Sequence, residues 1–211
     1  MARTRVKICG MTNREVALHA AAEGVDALGF IFAPKSPRYI SPTGARDIIS
    51  DLPPFVDRVG VFLNEPQKDV EEIASYCGLT TLQLHGSESP EDCETLPYKI
   101  IKSFQMKPDF DYSLLKEYED RVSAFLFDTY HKDKAGGTGE IFDWSLVGSL
   151  DTDLPVILAG GLGTENVVQA IKEVRPFAVD VNSTLETEPG VKDLELISRL
   201  LANVNSLSGT I

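Results

Sequence analysis

The sequence predicts a single-domain α/β protein, a closed (β/α)8 or TIM barrel spanning residues 1–211. Three observations predict it. Short apolar runs alternate with helical stretches, and eight such units follow one another along the chain. The runs are largely apolar rather than strictly alternating, as expected of parallel strands covered by helices. The 211 residues suit one small barrel and show no linker or change of composition that would mark a second domain. A doubly wound open sheet is the structural alternative, but it usually has fewer strands.

The first run is Val6–Cys9. Thr12 to Glu15 then has capping-box form, a hydroxyl residue three before a glutamate, and Gly24 is the expected helix stop. The second run, Asp26–Phe32, is followed by the loop APKSPRYI and by Ser41-Pro42 as N-cap and first turn. The third, Arg58–Leu63, precedes a helix after Pro66. The fourth, Thr81–Gly86, precedes a short helix opened by Ser89-Pro90. The fifth, Lys99–Phe104, is followed by a helical stretch over Tyr112–Tyr118. The sixth, Ala124–Asp128, is separated by the glycine-rich AGGTGE from a helix near Phe142–Leu150. The seventh, Pro155–Gly161, leads to a helix over Thr164–Val174. The eighth, Ala178–Asn182, leads to a last helix over Asp193–Val204, after which a frayed tail is expected.

Composition narrows the function classes. A net charge of −12 argues against a nucleic-acid binder, which usually carries a basic footprint. A small anionic ligand would need a local positive site of arginine and backbone N–H groups. No apolar run is long enough to span a bilayer, and the basic start lacks the apolar core of a signal peptide, so no membrane partner is expected. Cys9, Cys77 and Cys93 are odd in number and widely spaced, which fits neither a disulfide framework nor a zinc ribbon and suggests a reducing cytoplasm. His19, His85 and His131 are scattered and suggest no metal site.

Active sites of such barrels lie at the C-terminal ends of the strands. The chemistry-bearing residues there are Cys9 (strand 1), Arg38 (the loop after strand 2), Gln83 and His85 (strand 4), Asp128 (strand 6), Gly160 and Gly161 (strand 7), and Asp180, Asn182, Ser183 and Thr184 (strand 8). Each has a bland reading. A lone cysteine is more often an inert core residue. A strand-end aspartate can simply cap a loop, and Arg38 can be a solvated charge. Gln83 and His85 can be satisfied by backbone, and paired glycines can be only a turn. The two last strand ends together are more specific. "LAGGLGTEN" and "VDVNSTLE" stand on neighbouring strands, where barrels of this kind frequently bind phosphate through backbone N–H groups. Asp128, after an apolar strand, is a candidate general acid whose surroundings could keep it protonated. Cys9 is a candidate base. No nucleophile elbow supports a serine hydrolase. The residues allow a metal-free proton transfer on a sugar phosphate.

"KICGMT", "SPRYIS", "VGVFLN", "LQLHG", "LFDT", "GGTGEIFDW", "LAGGL" and "VDVNS" occur in this order and cover nearly the whole chain. Together they closely resemble the phosphoribosylanthranilate isomerase family of tryptophan biosynthesis. The resemblance implies a barrel without cofactor or metal, acting on a small-molecule substrate as a monomer or homodimer. It implies an Amadori rearrangement in which Cys9 is the base and Asp128 the acid. It also implies that Arg38 holds the anthranilate carboxylate, and that the "AGG" glycines and the residues after "VDV" hold the phosphate. A thiolate base would need a lowered pKa. Lys7 is expected to point to the opposite side of its strand from Cys9 and is not credited with that lowering. Two positions depart from the family pattern. Thr184 stands where a glycine is usual, which puts the phosphate geometry in question because threonine disfavours positive φ. Glu140 stands where many members have lysine. Thr129–Glu140 is the expected lid. The competing readings are a related sugar-phosphate isomerase and a non-catalytic phosphate-binding barrel.

Overall fold

The structure, a computed structural model, describes residues 3–107, 109–128, 144–148 and 150–207. The expected lid, Glu140, residues 142–143 of the expected sixth helix and the last four residues of the tail lie outside the described residues.

Eight parallel strands close into a barrel in chain order. They are β1 (Arg5–Cys9), β2 (Ala27–Ile31), β3 (Asp57–Phe62), β4 (Thr81–Leu84), β5 (Lys99–Gln105), β6 (Ala124–Asp128), β7 (Val156–Ala159) and β8 (Ala178–Val181). Closure pairs β1 with β8. The intervening helices are α1 (Arg14–Ala22), α2 (Pro42–Ile49), α3 (Gln67–Cys77), α4 (Pro90–Glu94), α5 (Leu114–Tyr118), α6 (Ser145–Gly148) and α7 (Val167–Val174), with α8 (Leu194–Ser206) last. None of the described helices is long and apolar enough to cross a membrane.

Side chains alternate between two hydrophobic layers, as the two-residue period of a strand requires. The outward set, which includes Ile8, Phe30, Phe62, Leu82, Phe125, Phe127, Leu158 and Val179, packs under the helices. The inward set, including Val59, Ile101, Leu126 and Ile157, fills the barrel. On the helix side, α8 buries Ile197, Leu200, Leu201 and Val204. These positions share one face at helical spacing.

One local expectation is corrected. The N-cap of α1 is Asn13, whose side chain accepts from the N–H groups of Glu15 and Val16. Thr12 instead donates its hydroxyl to the Gly190 carbonyl at 2.9 Å. A short amide reaches the first-turn N–H groups as well as a hydroxyl does, which frees Thr12 for this long-range bond. The segment between β8 and α8 carries structure of its own. A 3-10 turn (Ser183–Leu185) leads into an antiparallel hairpin of β9 (Glu186–Glu188) and β10 (Val191–Lys192). That hairpin brings two charged residues to the barrel mouth.

Candidate active site

A cavity of about 450 Å³ opens at the C-terminal end of the barrel. This is within the usual range for small-molecule sites. Every strand-end residue singled out from the sequence lines it: Cys9, Arg38, Gln83, His85, Asp128, Gly160, Gly161, Asp180, Asn182, Ser183 and Thr184. Residues separated by most of the chain therefore meet because the barrel closes.

Register explains the placement of Cys9. It pairs with Gly29 on β2, while Lys7 pairs with Asp180 on β8. Lys7 and Cys9 are two residues apart, so they share the inward face. The expectation that Lys7 points away is therefore wrong, because adjacent residues alternate and next-but-one residues coincide. The Lys7 ammonium lies 2.9 Å from both carboxylate oxygens of Asp180. Both side chains are more than nine-tenths buried. Gly29 makes room for this group. A Cβ there would lie 2.8 Å from the Cys9 sulfur and 3.2 Å from Lys7 Nζ. A glycine inside an apolar strand is a sequence signal of such an approach.

Burial pushes the Cys9 thiol up, and the pull of Lys7 offsets only part of this. The thiol thus stays above its ordinary 9.0, contrary to the lowering expected of a thiolate base. Burial also works against the Lys7 ammonium. The charges of Asp180 and Cys9 outweigh it and hold Lys7 above its ordinary value.

Arg38 is fixed by a residue that the sequence reading did not single out. Its Nε donates to Glu186 Oε1 at 2.8 Å and its Nη2 to Oε2 at 2.7 Å. Lys192 donates to the same Glu186 at 2.6 Å and to the Asn182 side chain at 2.8 Å. Gly10, with φ of 79°, lets Arg38 lie close over the end of β1. A Cβ at Gly10 would sit 2.9 Å from Arg38 Cδ. The fork contact engages two of the five N–H donors of the guanidinium, so donors remain for a second carboxylate. Glu186 and Lys192 carry no sequence signal of this role, since charges flanking a Pro-Gly turn ordinarily face solvent.

On the opposite wall, Gln83 Nε2 lies 3.1 Å from His85 Nδ1. Burial lowers the His85 pKa and keeps the ring neutral, against the opposing pull of Asp128. Gln83 is 2% exposed, and its Oε1 is buried with no hydrogen-bond partner among the described residues. Asp128 ends the alternation of β6. Phe125 and Phe127 pack outward and Leu126 inward, which places Asp128 at the cavity.

The ends of β7 and β8 form the third wall. Gly160 and Gly161 have φ of 93° and 63°. Asn166 braces their loop, accepting from the Gly163 N–H at 2.8 Å and donating to the Gly161 carbonyl at 3.0 Å. Thr184 lies in the 3-10 turn and is not among the described residues with positive φ, so this chain does not need glycine there. Its hydroxyl donates to the Leu162 carbonyl and ties the loops after β7 and β8 together.

Known proteins share this architecture. The family model described as N-(5'phosphoribosyl)anthranilate (PRA) isomerase matches residues 6–203. The N-(5'-phosphoribosyl)anthranilate isomerase of Citrifermentans bemidjiense is 45% identical over 205 residues, covering 97% of this chain and 98% of that protein. The crystal structure of phosphoribosyl anthranilate isomerase from Thermotoga maritima superposes with a TM-score of 0.89 at 44% identity, over 96% of this chain and 99% of that one. A second structure of such an enzyme contains reduced 1-(o-carboxyphenylamino)-1-deoxyribulose 5-phosphate. It matches with a TM-score of 0.85 at 42% identity, over 96% of this chain and 99% of that one.

Proposed function

The chain belongs to the N-(5'-phosphoribosyl)anthranilate isomerase family of tryptophan biosynthesis, and from that premise we propose that Cys9 and Asp128 are the base and acid of its Amadori rearrangement. The substrate is N-(5'-phosphoribosyl)anthranilate and the product 1-(2-carboxyphenylamino)-1-deoxyribulose 5-phosphate. The observation that carries the assignment is the convergence of Cys9, Asp128 and Arg38 on one cavity beside the β7 and β8 loops.

Asp128 gives a proton to the furanose ring oxygen. The C1–O bond breaks, and the nitrogen lone pair forms the C1=N bond of a Schiff base. The Cys9 thiolate takes the proton from C2, the C2–H electrons form a C1=C2 bond, and the C1=N electrons return to the nitrogen to give an enolamine. A proton is then added at C1 while the C2 hydroxyl loses one, leaving the ketone. Arg38 holds the anthranilate carboxylate through the donors that Glu186 does not use. The backbone N–H groups of Gly160, Gly161, Ser183 and Thr184 hold the phosphate, assisted by the turn at Ser183. Gln83 Oε1 is an acceptor available to a substrate hydroxyl. Asp180 and Asn182 act from beneath, on Lys7 and Lys192 respectively. The local cations Lys7, Arg38 and Lys192 offset the repulsion between an acidic protein and an anionic substrate. We place the enzyme in the cytoplasm, where three free thiols are stable.

The test follows loss of substrate fluorescence after purified protein meets freshly generated phosphoribosylanthranilate. The wild type should consume it rapidly, and Cys9→Ala and Asp128→Ala should each lose nearly all activity. A wild type no faster than the two variants would overturn the assignment.

A further inference from the structure

A thiol raised by burial is a poor base at neutral pH unless something stabilises its anion. The groups that bear on Cys9 are Lys7 on its own strand, Asp180 on β8, Lys192 on β10 and Arg38 over the end of β1. Asp128 and His85 line the same cavity. Among the cations, Lys192 and Arg38 are engaged with Glu186. Lys7 stands apart from that network. It is 3% exposed, it comes from within the barrel, and its ammonium and the Cys9 sulfur both crowd the space that a Cβ at Gly29 would enter, which puts its charge and a hydrogen bond on the thiol.

We propose that Lys7 is a positioning and charge-stabilising residue for Cys9, and that Asp180 pins its ammonium beside the sulfur. The proposal deepens the assignment of Cys9 as base and rests on it. Burying a Lys–Asp pair at the centre of a barrel is expensive in desolvation, and a well-packed apolar pair would serve stability as well. The pair is therefore better understood through what it adjoins. When Cys9 is ionised, the ammonium shares its charge between the thiolate and Asp180. When Cys9 accepts the C2 proton, the ammonium returns to Asp180 alone. Lys7 acts on the substrate only through the Cys9 sulfur and exchanges no proton in this scheme. Asp180 limits the effect, since its own charge opposes ionisation of the thiol.

The reactivity of the thiol tests this without substrate. Iodoacetamide alkylation is followed against pH, with peptide mapping to separate Cys9 from Cys77 and Cys93, whose thiols burial pushes up to about 11. Lys7→Met should slow Cys9 alkylation at pH 8 at least tenfold and move its pH profile upward by a unit or more. The charge-neutral pair Lys7→Met/Asp180→Leu should move it the same way, and it serves if the single variant does not fold. Asp180→Asn should move it the other way, because the ammonium is left to the sulfur alone. A pair with a merely structural role would shift neither profile. Folded Lys7 variants that alkylate like the wild type overturn the proposal. Turnover of the same variants should fall at least tenfold at pH 8. A shifted alkylation profile with unchanged turnover would instead overturn Cys9 as the base while leaving the hold of Lys7 on the thiol intact.

Discussion

Arg38 and Glu186 meet through a two-pronged contact, Nε on Oε1 at 2.8 Å and Nη2 on Oε2 at 2.7 Å, although 148 positions separate them. The contact joins the loop after β2 to the hairpin after β8. It fixes the direction of the guanidinium before any substrate arrives, and pre-organisation of this kind lowers the entropic cost of binding. Lys192, on the same carboxylate, keeps the cluster net positive.

Loss of Glu186 should therefore appear as weakened binding. Glu186→Gln is expected to raise KM about tenfold while changing kcat little, because the anchor is loosened and the reacting groups are untouched. Steady-state kinetics on the fluorescent substrate measures it. An unchanged KM would contradict the positioning role of Glu186.

The same cluster has a pH signature in stability. Glu186 is buried, which alone would raise its pKa, but Arg38 and Lys192 hold it below the ordinary 4.5. A carboxylate depressed in the folded state stabilises above its unfolded value and loses that contribution as pH falls through the folded one. The urea-unfolding difference between wild type and Glu186→Gln should thus be constant above about pH 5.5 and shrink below pH 4.5. A difference that grows on acidification would contradict the sign.

Gly29 should be intolerant of a single methyl group. A Cβ there would meet the Cys9 sulfur at 2.8 Å, within the range that forces a shift. Gly29→Ala is expected to keep the fold, measured by circular dichroism, and to lower kcat on the order of 100-fold, the scale of a displacement of about 1 Å at a reacting group. Retained kcat would show that the sulfur has freedom to move.

A second buried pair, outside the barrel, should govern stability rather than chemistry. Lys102 points outward from β5 and lies 2.7 Å from Glu88 and 2.7 Å from the Gly86 carbonyl. Glu88 also accepts from the N–H groups of Asn64 and Gly86, next to His85. Removing one partner leaves a buried charge, so Lys102→Met should cost about 3–5 kcal/mol in urea unfolding. The double variant Lys102→Met/Glu88→Gln should recover part of that loss.

Much of this fold is legible in the sequence because parallel strands covered by helices are nearly continuous apolar runs, and "FLFD" or "VILAGG" are hard to mistake. Strand ends then deliver the cavity residues directly, since closure of the barrel does the assembling. The β9–β10 hairpin was not legible. "ETEPGVK" is polar around a Pro-Gly turn and carries no alternating apolar signal. Its partners, Thr12 and Arg38, are near only in space. Lys7 is legible as an inward residue, against the expectation that it points away from Cys9. The two-residue period puts it on the face of Cys9, and its burial is intelligible only beside Asp180 on the strand that closure makes adjacent. The state of the Cys9 thiol could not be read from the chain, because it depends on the balance between burial and charges contributed by four separate segments.

Abstraction of the C2 proton by Cys9 is the proposed step on which the other roles depend. The most direct measurement is the single-turnover rate of Cys9→Ala at saturating enzyme, with binding of a reduced, unreactive product analogue measured in parallel. The rate should be about 100- to 10,000-fold below the wild type, the usual contribution of a positioned base, with affinity for the analogue nearly unchanged. A Cys9→Ala enzyme that binds the analogue normally and turns over within tenfold of the wild type would contradict it.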